Sequence, residues 1–201
     1  MTTSEFYYTI DKPATTEFKD RGSKFIGCAF PINSVEDFKK RLEEIKKEHP
    51  KATHHCFAYR LGLDKNVFRV NDDGEPAGTA GKPILGQIDH KELTNTLIIV
   101  VRYFGGTLLG VPGLINAYKM TSSLVLQLIP VVQKTIEEKY TLHFDYTQIN
   151  EVLMVVKQLN CSIIHQEMNL FCTLNLGIPK SKLHEALYRF GNVKNLEVKK
   201  I

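Results

Sequence analysis

At 201 residues the chain has room for one large domain or two small ones. Hydrophobic residues make up 43% and charged residues 24%, which excludes a disordered or fibrous chain. The net charge of +4 permits an anionic partner without demanding one. Four cysteines (Cys28, Cys56, Cys161, Cys172) stand apart with no Cys-x-x-Cys pair, which argues against a zinc ribbon or a redox pair and suits a reducing cytosol. The opening residues, MTTSEFYYTIDKP, lack a basic patch and a long apolar run, so no signal peptide is expected. No apolar stretch approaches the roughly 20 residues that a membrane helix needs. The expectation is a soluble cytoplasmic protein.

Lys24–Ile32, KFIGCAFPI, reads as a strand ended by Pro31. Residues 34–49 read as a helix. Ser34 is its N-cap, Asp37 its capping-box partner, and Val35, Phe38, Leu42 and Ile45 its apolar stripe. Glu36/Lys40, Asp37/Arg41 and Glu43/Lys47 are spaced as (i, i+4) pairs on the wet side, and Pro50 stops the helix. HHCFAYRLG and NVFRVN follow as a hairpin. Phe57, Tyr59 and Leu61 fall on one face, and Cys56, Ala58 and Arg60 on the other. DDGEPAGTAGKP carries little apolar mass and must be a loop. A short helix, ILGQIDHKEL, leads to the strand TNTLIIVVRYF. Its apolar run, Leu97 to Val101, predicts cover on both faces. A helix is predicted from Pro112 to about Ile129, with Leu114, Ala117, Tyr118, Thr121, Leu124, Val125 and Leu128 inward.

The remainder alternates differently. Tyr140, Leu142, Phe144 and Tyr146 mark a strand, and Ile149, Val152, Leu153, Val156 and Leu159 mark a helix face. Two strands, SIIHQE and LFCTLNL, precede a helix with Pro179 near its start and Gly191 at its C-terminal end, and NVKNLEV closes as a strand. This βαββαβ order is the split, ferredoxin-like arrangement. The chain therefore divides near Pro130, into residues 1–130 and 131–201, within an α+β class.

Three stretches carry polar residues that folding alone does not require. His54 and His55 are adjacent, so a regular strand turns them to opposite faces and they cannot both chelate one metal. Either could work as an acid or base, or one could simply be a hydrogen-bonded core histidine. The glycine-rich loop supplies Asp72, Asp73 and Glu75 as carboxylates and Thr79 as a hydroxyl, just ahead of a helix start at Gly81–Pro83 able to hold an anion. Lys82 is followed by proline, so this is no Walker motif, and the carboxylate spacing is not that of a calcium loop. The alternative is an ordered surface loop whose Asp and Gly residues only build turns. In RYFGG, Arg102 can fork onto a carboxylate or phosphate, Tyr103 can stack on a ring, and Gly105, Gly106 and Gly110 allow a tight approach to the next helix. On residue type, Arg102 favours internal pairing with Asp72, Asp73 or Glu75. No cofactor fingerprint, zinc spacing or nucleophile elbow is present.

Taken in order, RGSKFIGCAFPI, HHCFAYR, DDGEPAGTAGKPIL and VVRYFGGTLLG…GLINAY resemble the YigZ/IMPACT family over roughly residues 17–125. The resemblance implies an N-terminal β-α layer domain like the second domain of ribosomal protein S-five. It also implies a small C-terminal domain like the last domain of elongation factor G. It carries a link to translation, with the ribosome, RNA or a translation-regulatory protein as partner. The eukaryotic role in amino-acid control depends on an extra N-terminal domain and is not carried over. Members usually have lysine two residues after Gly-Gly; here Leu108 stands there, and Pro112 stands where a small residue is common. Anion binding would then be weaker, or would fall to Lys82, Lys119 or Arg102. Three readings follow. The first is a translation-associated RNA- or ribosome-binding module. The second is a hydrolase or transferase for a nucleotide or phosphorylated ligand, using His54 or His55, Asp73, Glu75 and Arg102. The third is an adaptor that works through the exposed sheet of the second domain.

Overall fold

The computed structural model describes residues 5–201; the leader expectation falls partly on residues 1–4, outside them. Two compact units are present, Tyr7–Lys134 and a second made of residues 5–6 with Thr135–Ile201.

In the first unit five strands form one antiparallel sheet in the order β2-β3-β6-β4-β5, where β2 is Ala14–Asp20, β3 Ser23–Pro31, β4 His54–Leu61, β5 Val67–Asn71 and β6 Thr96–Tyr103. The central strand is the one with five successive apolar residues, all fully buried. Its alternation divides them. Ile98 and Val100 pack with Ile84 and Ile88 of α2 (Gly81–His90) and with Ala117 and Tyr118 of α3 (Gly110–Gln127). Leu97, Ile99 and Val101 pack with Phe38 and Ile45 of α1 (Val35–Glu48). At about 1.5–3 kcal/mol for each fully buried aliphatic side chain, this strand anchors both cores. Two further strands, β1 (Phe6–Ile10) and β7 (Val131–Thr135), pair with each other.

The α1 cap forms as its sequence predicts, with Asp37 N–H donating to Ser34 Oγ at 3.0 Å. The reciprocal bond is displaced by one residue, since Asp37 accepts from the Asn33 N–H at 2.8 Å. With that carboxylate engaged, Arg41 pairs with Glu44 at 2.8 Å instead, while Glu43/Lys47 forms at 2.8 Å. The expected inner face of α3 is wrong at its end. The helix stops at Gln127, so Leu128 is 57% exposed, and Leu126 and Ile129 are buried instead.

The second unit runs β8 (Glu137–Asp145), α4 (Ile149–Gln158), β9 (Ser162–Met168), β10 (Phe171–Pro179), α5 (Leu183–Gly191) and β11 (Glu197–Lys200), with sheet order β11-β8-β10-β9. Leu142, Leu174 and Leu176 face Val152, Val156 and Phe190 of the helices. On the other face Thr141 Oγ1 donates to Asn175 Oδ1 at 2.9 Å, and His143 Nδ1 lies 3.2 Å from Thr173 Oγ1. Tyr146 leaves the strand in a short 3-10 turn and is exposed, and Pro179 ends β10 rather than opening α5. Among the described residues no helix is long and apolar enough to cross a membrane.

Candidate functional site

Parity in the sheet assembles the site. His54 and Arg102 are register partners between β4 and β6, and Phe25 and Arg102 are partners between β3 and β6. Antiparallel partners share a face, so the three side chains form one row on the α2/α3 side. The loop of residues 72–80 returns over the end of that row and lowers Glu75 onto it.

Arg102 Nη1 donates to Glu75 Oε1 at 2.6 Å, and Tyr118 Oη of α3 donates to the same oxygen at 2.7 Å. Arg102 Nη2 reaches Ser23 Oγ at 3.2 Å. The side chains of the pair are only 5% and 3% exposed. Among the described residues Arg102 Nε has no acceptor; the guanidinium lies 5.4 Å from the Phe25 ring centre and 5.5 Å from that of Phe104, so aromatic faces stabilise the cation there. Cys56 Sγ lies 3.2 Å from Tyr118 Oη and 3.1 Å from the Asp72 carbonyl. Burial pushes the Cys56 thiol far up and, with the neighbouring Cys56 and Glu75, holds the Tyr118 phenol protonated as a donor. Cys56 is therefore an inert thiol.

The loop is tied by its own carboxylates. Asp72 accepts from the N–H groups of Gly78, Ala80 and Gly81 at 2.8, 2.9 and 2.8 Å, closing the loop onto the start of α2. Partial burial pushes its carboxyl up, but these three hydrogen bonds outweigh that and leave it below the usual range. Asp73 Oδ2 accepts from the His55 N–H at 2.6 Å, and the Asp73 carbonyl lies 2.7 Å from His54 Nδ1. Asp73 and Gly74 both have positive φ, at 44° and 88°, which turns that carbonyl toward His54.

Of the residues singled out in the sequence, His54, Glu75 and Arg102 come together. His54 Nε2 stands 3.8 Å from Glu75 Oε1. His55 and Tyr103 point to the α1 face. His55 Nε2 donates to the His49 carbonyl at 3.1 Å, and Tyr103 Oη lies 3.1 Å from His49 Nδ1. Thr79 is buried and bonds the Pro76 carbonyl at 2.7 Å. Gly81 packs against β5, where a Cβ would meet Asn71 N at 2.8 Å, and Gly105 packs against Gly22. Gly106 has φ +85° and open space around it. Lys82 and Lys119 are exposed and do not line the cleft. The sequence reading missed Tyr118 as a site residue. Its signal was a phenol on a mostly apolar helix face, because a buried Tyr hydroxyl needs a partner.

Above the ion pair lies a cavity of about 330 Å³, with Thr53, His54, Glu75 and Arg102 at its base. Its walls are hydrocarbon, from Pro76, Phe104, Leu108, Leu109, Val111 and Leu114. Among the described residues no group of three His, Cys, Asp or Glu side chains could hold a metal ion.

The Impact N-terminal domain model matches residues 21–126, which contain every residue of this cleft. The chain is 35% identical to the IMPACT family member YigZ of Escherichia coli over 175 residues, 86% of each protein. It belongs to the IMPACT family. A second IMPACT family member, YvyE of Bacillus subtilis, is 36% identical over 146 residues, 73% of this chain and 67% of that one. A crystal structure described as that of a hypothetical protein superposes with a TM-score of 0.75 at 32% identity, covering 99% of this chain and 98% of the other. Within this IMPACT chain Leu108, at the position expected to be lysine, is 83% exposed at the mouth of the cavity.

Proposed function

We propose that this chain is a translation-associated regulator that acts by binding rather than by chemistry, with the ribosome, its RNA or a translation-regulatory protein as partner. One observation carries the reading. The carboxylate and guanidinium that a phosphoryl- or acyl-transfer site would need are spent on each other, at 2.6 Å and buried, with Tyr118 on the same oxygen. What faces outward is hydrocarbon. The resemblance supplies the translation context. It also supplies the finer fold reading, of a layer domain like the second domain of ribosomal protein S-five and a ferredoxin-like domain like the last one of elongation factor G. The βαββαβ element order supports the latter.

The test is co-sedimentation with purified ribosomes over a salt series. Wild-type protein should pellet at low salt and be released as salt rises, because phosphate contacts liberate counterions. Lys82→Ala and Lys119→Ala change exposed cations without touching the core, and each should flatten the salt slope if it meets phosphate. Failure to pellet at any salt would remove the ribosome and its RNA as partners.

A further inference from the structure

We propose that the cavity over Glu75 is a binding site for a small molecule that carries a hydrogen-bond donor, a hydroxyl or an amine, on a compact hydrocarbon body. The inference goes beyond the translation reading, because the lining defines the ligand whether or not the chain meets a ribosome.

The head group follows from hydrogen-bond chemistry on the floor. His54 Nδ1 faces the Asp73 carbonyl oxygen at 2.7 Å. A carbonyl only accepts, so Nδ1 carries the hydrogen, and in the neutral ring Nε2 is an acceptor. That acceptor stands 3.8 Å from Glu75 Oε1, itself an acceptor. Oε1 is already served by Arg102 and Tyr118, so the acceptor left facing the half-enclosed apolar space is His54 Nε2. A hydroxyl or amine seated there donates to it. Glu75 already has its counter-charge in Arg102, so the head needs no charge of its own.

The body follows from the walls. Leu108, Val111 and Phe104 are 83%, 51% and 47% exposed, and all three lie around one cavity with Leu109 and Leu114 behind them. Large apolar side chains gathered at one mouth mark a surface built to be covered. The volume, about 330 Å³, is at the small end for ligand pockets and suits a phenyl-sized group. The first turn of α3 also borders the mouth through Gly110 and Val111, and its N–H groups would tolerate an acceptor there. An anionic head directed to the floor would instead meet His54 Nε2 and Glu75. Leu108, in place of a cation, removes another reason for a phosphate to enter.

The experiment titrates three probes of matched body, 2-phenylethanol, 2-phenylethylamine and phenylacetate, into the full chain labelled at methyl groups and histidine nitrogens. The alcohol and the amine should saturably shift the Leu108, Val111 and Leu114 methyls together with His54 Nε2. Phenylacetate should bind at least tenfold more weakly. His54→Phe should weaken the alcohol at least tenfold and leave ethylbenzene, which has no head, unchanged. Val111→Asp, at an exposed wall position, should abolish binding of all the uncharged probes in a folded protein, which keeps the test decisive if His54→Phe fails to fold. Phenylacetate binding as tightly as the alcohol, indifference of the alcohol to His54→Phe, or no shift with any probe would overturn the proposal.

Discussion

Arg102 shows how far residue type alone carries an argument. A buried arginine needs a carboxylate, and the sequence narrows the candidates to Asp72, Asp73 and Glu75. It does not choose among them, because the choice depends on where the loop crosses the sheet. Asp72 turns inward to cap α2 and Asp73 holds β4, which leaves Glu75 for the arginine. Arg102→Met strands that carboxylate in a site 3% exposed and should cost about 3–5 kcal/mol in urea unfolding. Adding Glu75→Leu and Tyr118→Phe to it, so that no phenol is left without its acceptor, should recover most of the loss, since well-packed apolar groups replace an ion pair at little cost. No recovery would mean that the pair matters for something other than balancing charge. His54 and His55 were separated correctly by strand parity, but which of them meets the cleft depends on the helices that cover each face. His55 sits on the α1 side, where burial holds its imidazole below the usual value. The fold favours the neutral ring, so this contribution is complete above the unfolded value near 6.5 and is lost as pH falls through the lower folded value. Asp72, also held below its unfolded value of 3.8, keeps its contribution until more acid pH and then loses it. Urea midpoints should therefore fall in two stages on acidification, and His55→Phe should remove only the first.

At the scale of elements, strong periodicity was legible and edges were not. The α1 stripe and the apolar run of β6 each state their burial in sequence. The strands β1, β2 and β7 do not. β2 reads ATTEFKD and buries no residue fully, and β7 is almost wholly exposed, so neither carries the apolar mass that marks a strand. β1 had a usable signal in the aromatic and β-branched FYYTI. The junction after β6 has its own logic. Gly105 lies so close to the turn between β2 and β3 that a Cβ would be 1.9 Å from the Gly22 carbonyl carbon. Both partners there are backbone, so nothing can swing aside. Gly105→Ala should force the junction apart and cost several kcal/mol, on the order of the larger single-site losses. Gly86, inside α2, has nothing within 4 Å of a Cβ. Gly86→Ala should stabilise by about 0.5–1 kcal/mol through helix propensity and a less free unfolded chain. Thermal unfolding of the two variants side by side separates a glycine held by close packing from one that is merely tolerated.

For the whole molecule, the alternation of elements in the last 65 or so residues was legible, while the sheet order β11-β8-β10-β9 was not, because pairing between distant strands leaves no local trace. Each unit has a core of its own. Leu142, Leu174, Leu176 and Phe190 close the second, and Ile98, Val100, Ile84 and Tyr118 belong to one side of the first. If these cores are energetically separate, a cavity in one should leave the other's protection intact. Leu174→Ala removes a fully buried side chain from the middle of β10 and should cost about 2–5 kcal/mol within its own unit. Hydrogen exchange read by mass spectrometry should then show faster exchange across residues 137–200, with β6 and α3 unchanged. Faster exchange in β6 as well would mean that the chain unfolds as one cooperative body. A ligand filling the cavity over Glu75 would in that case stabilise residues 137–200 too, whereas separate units would confine its protection to residues 7–134.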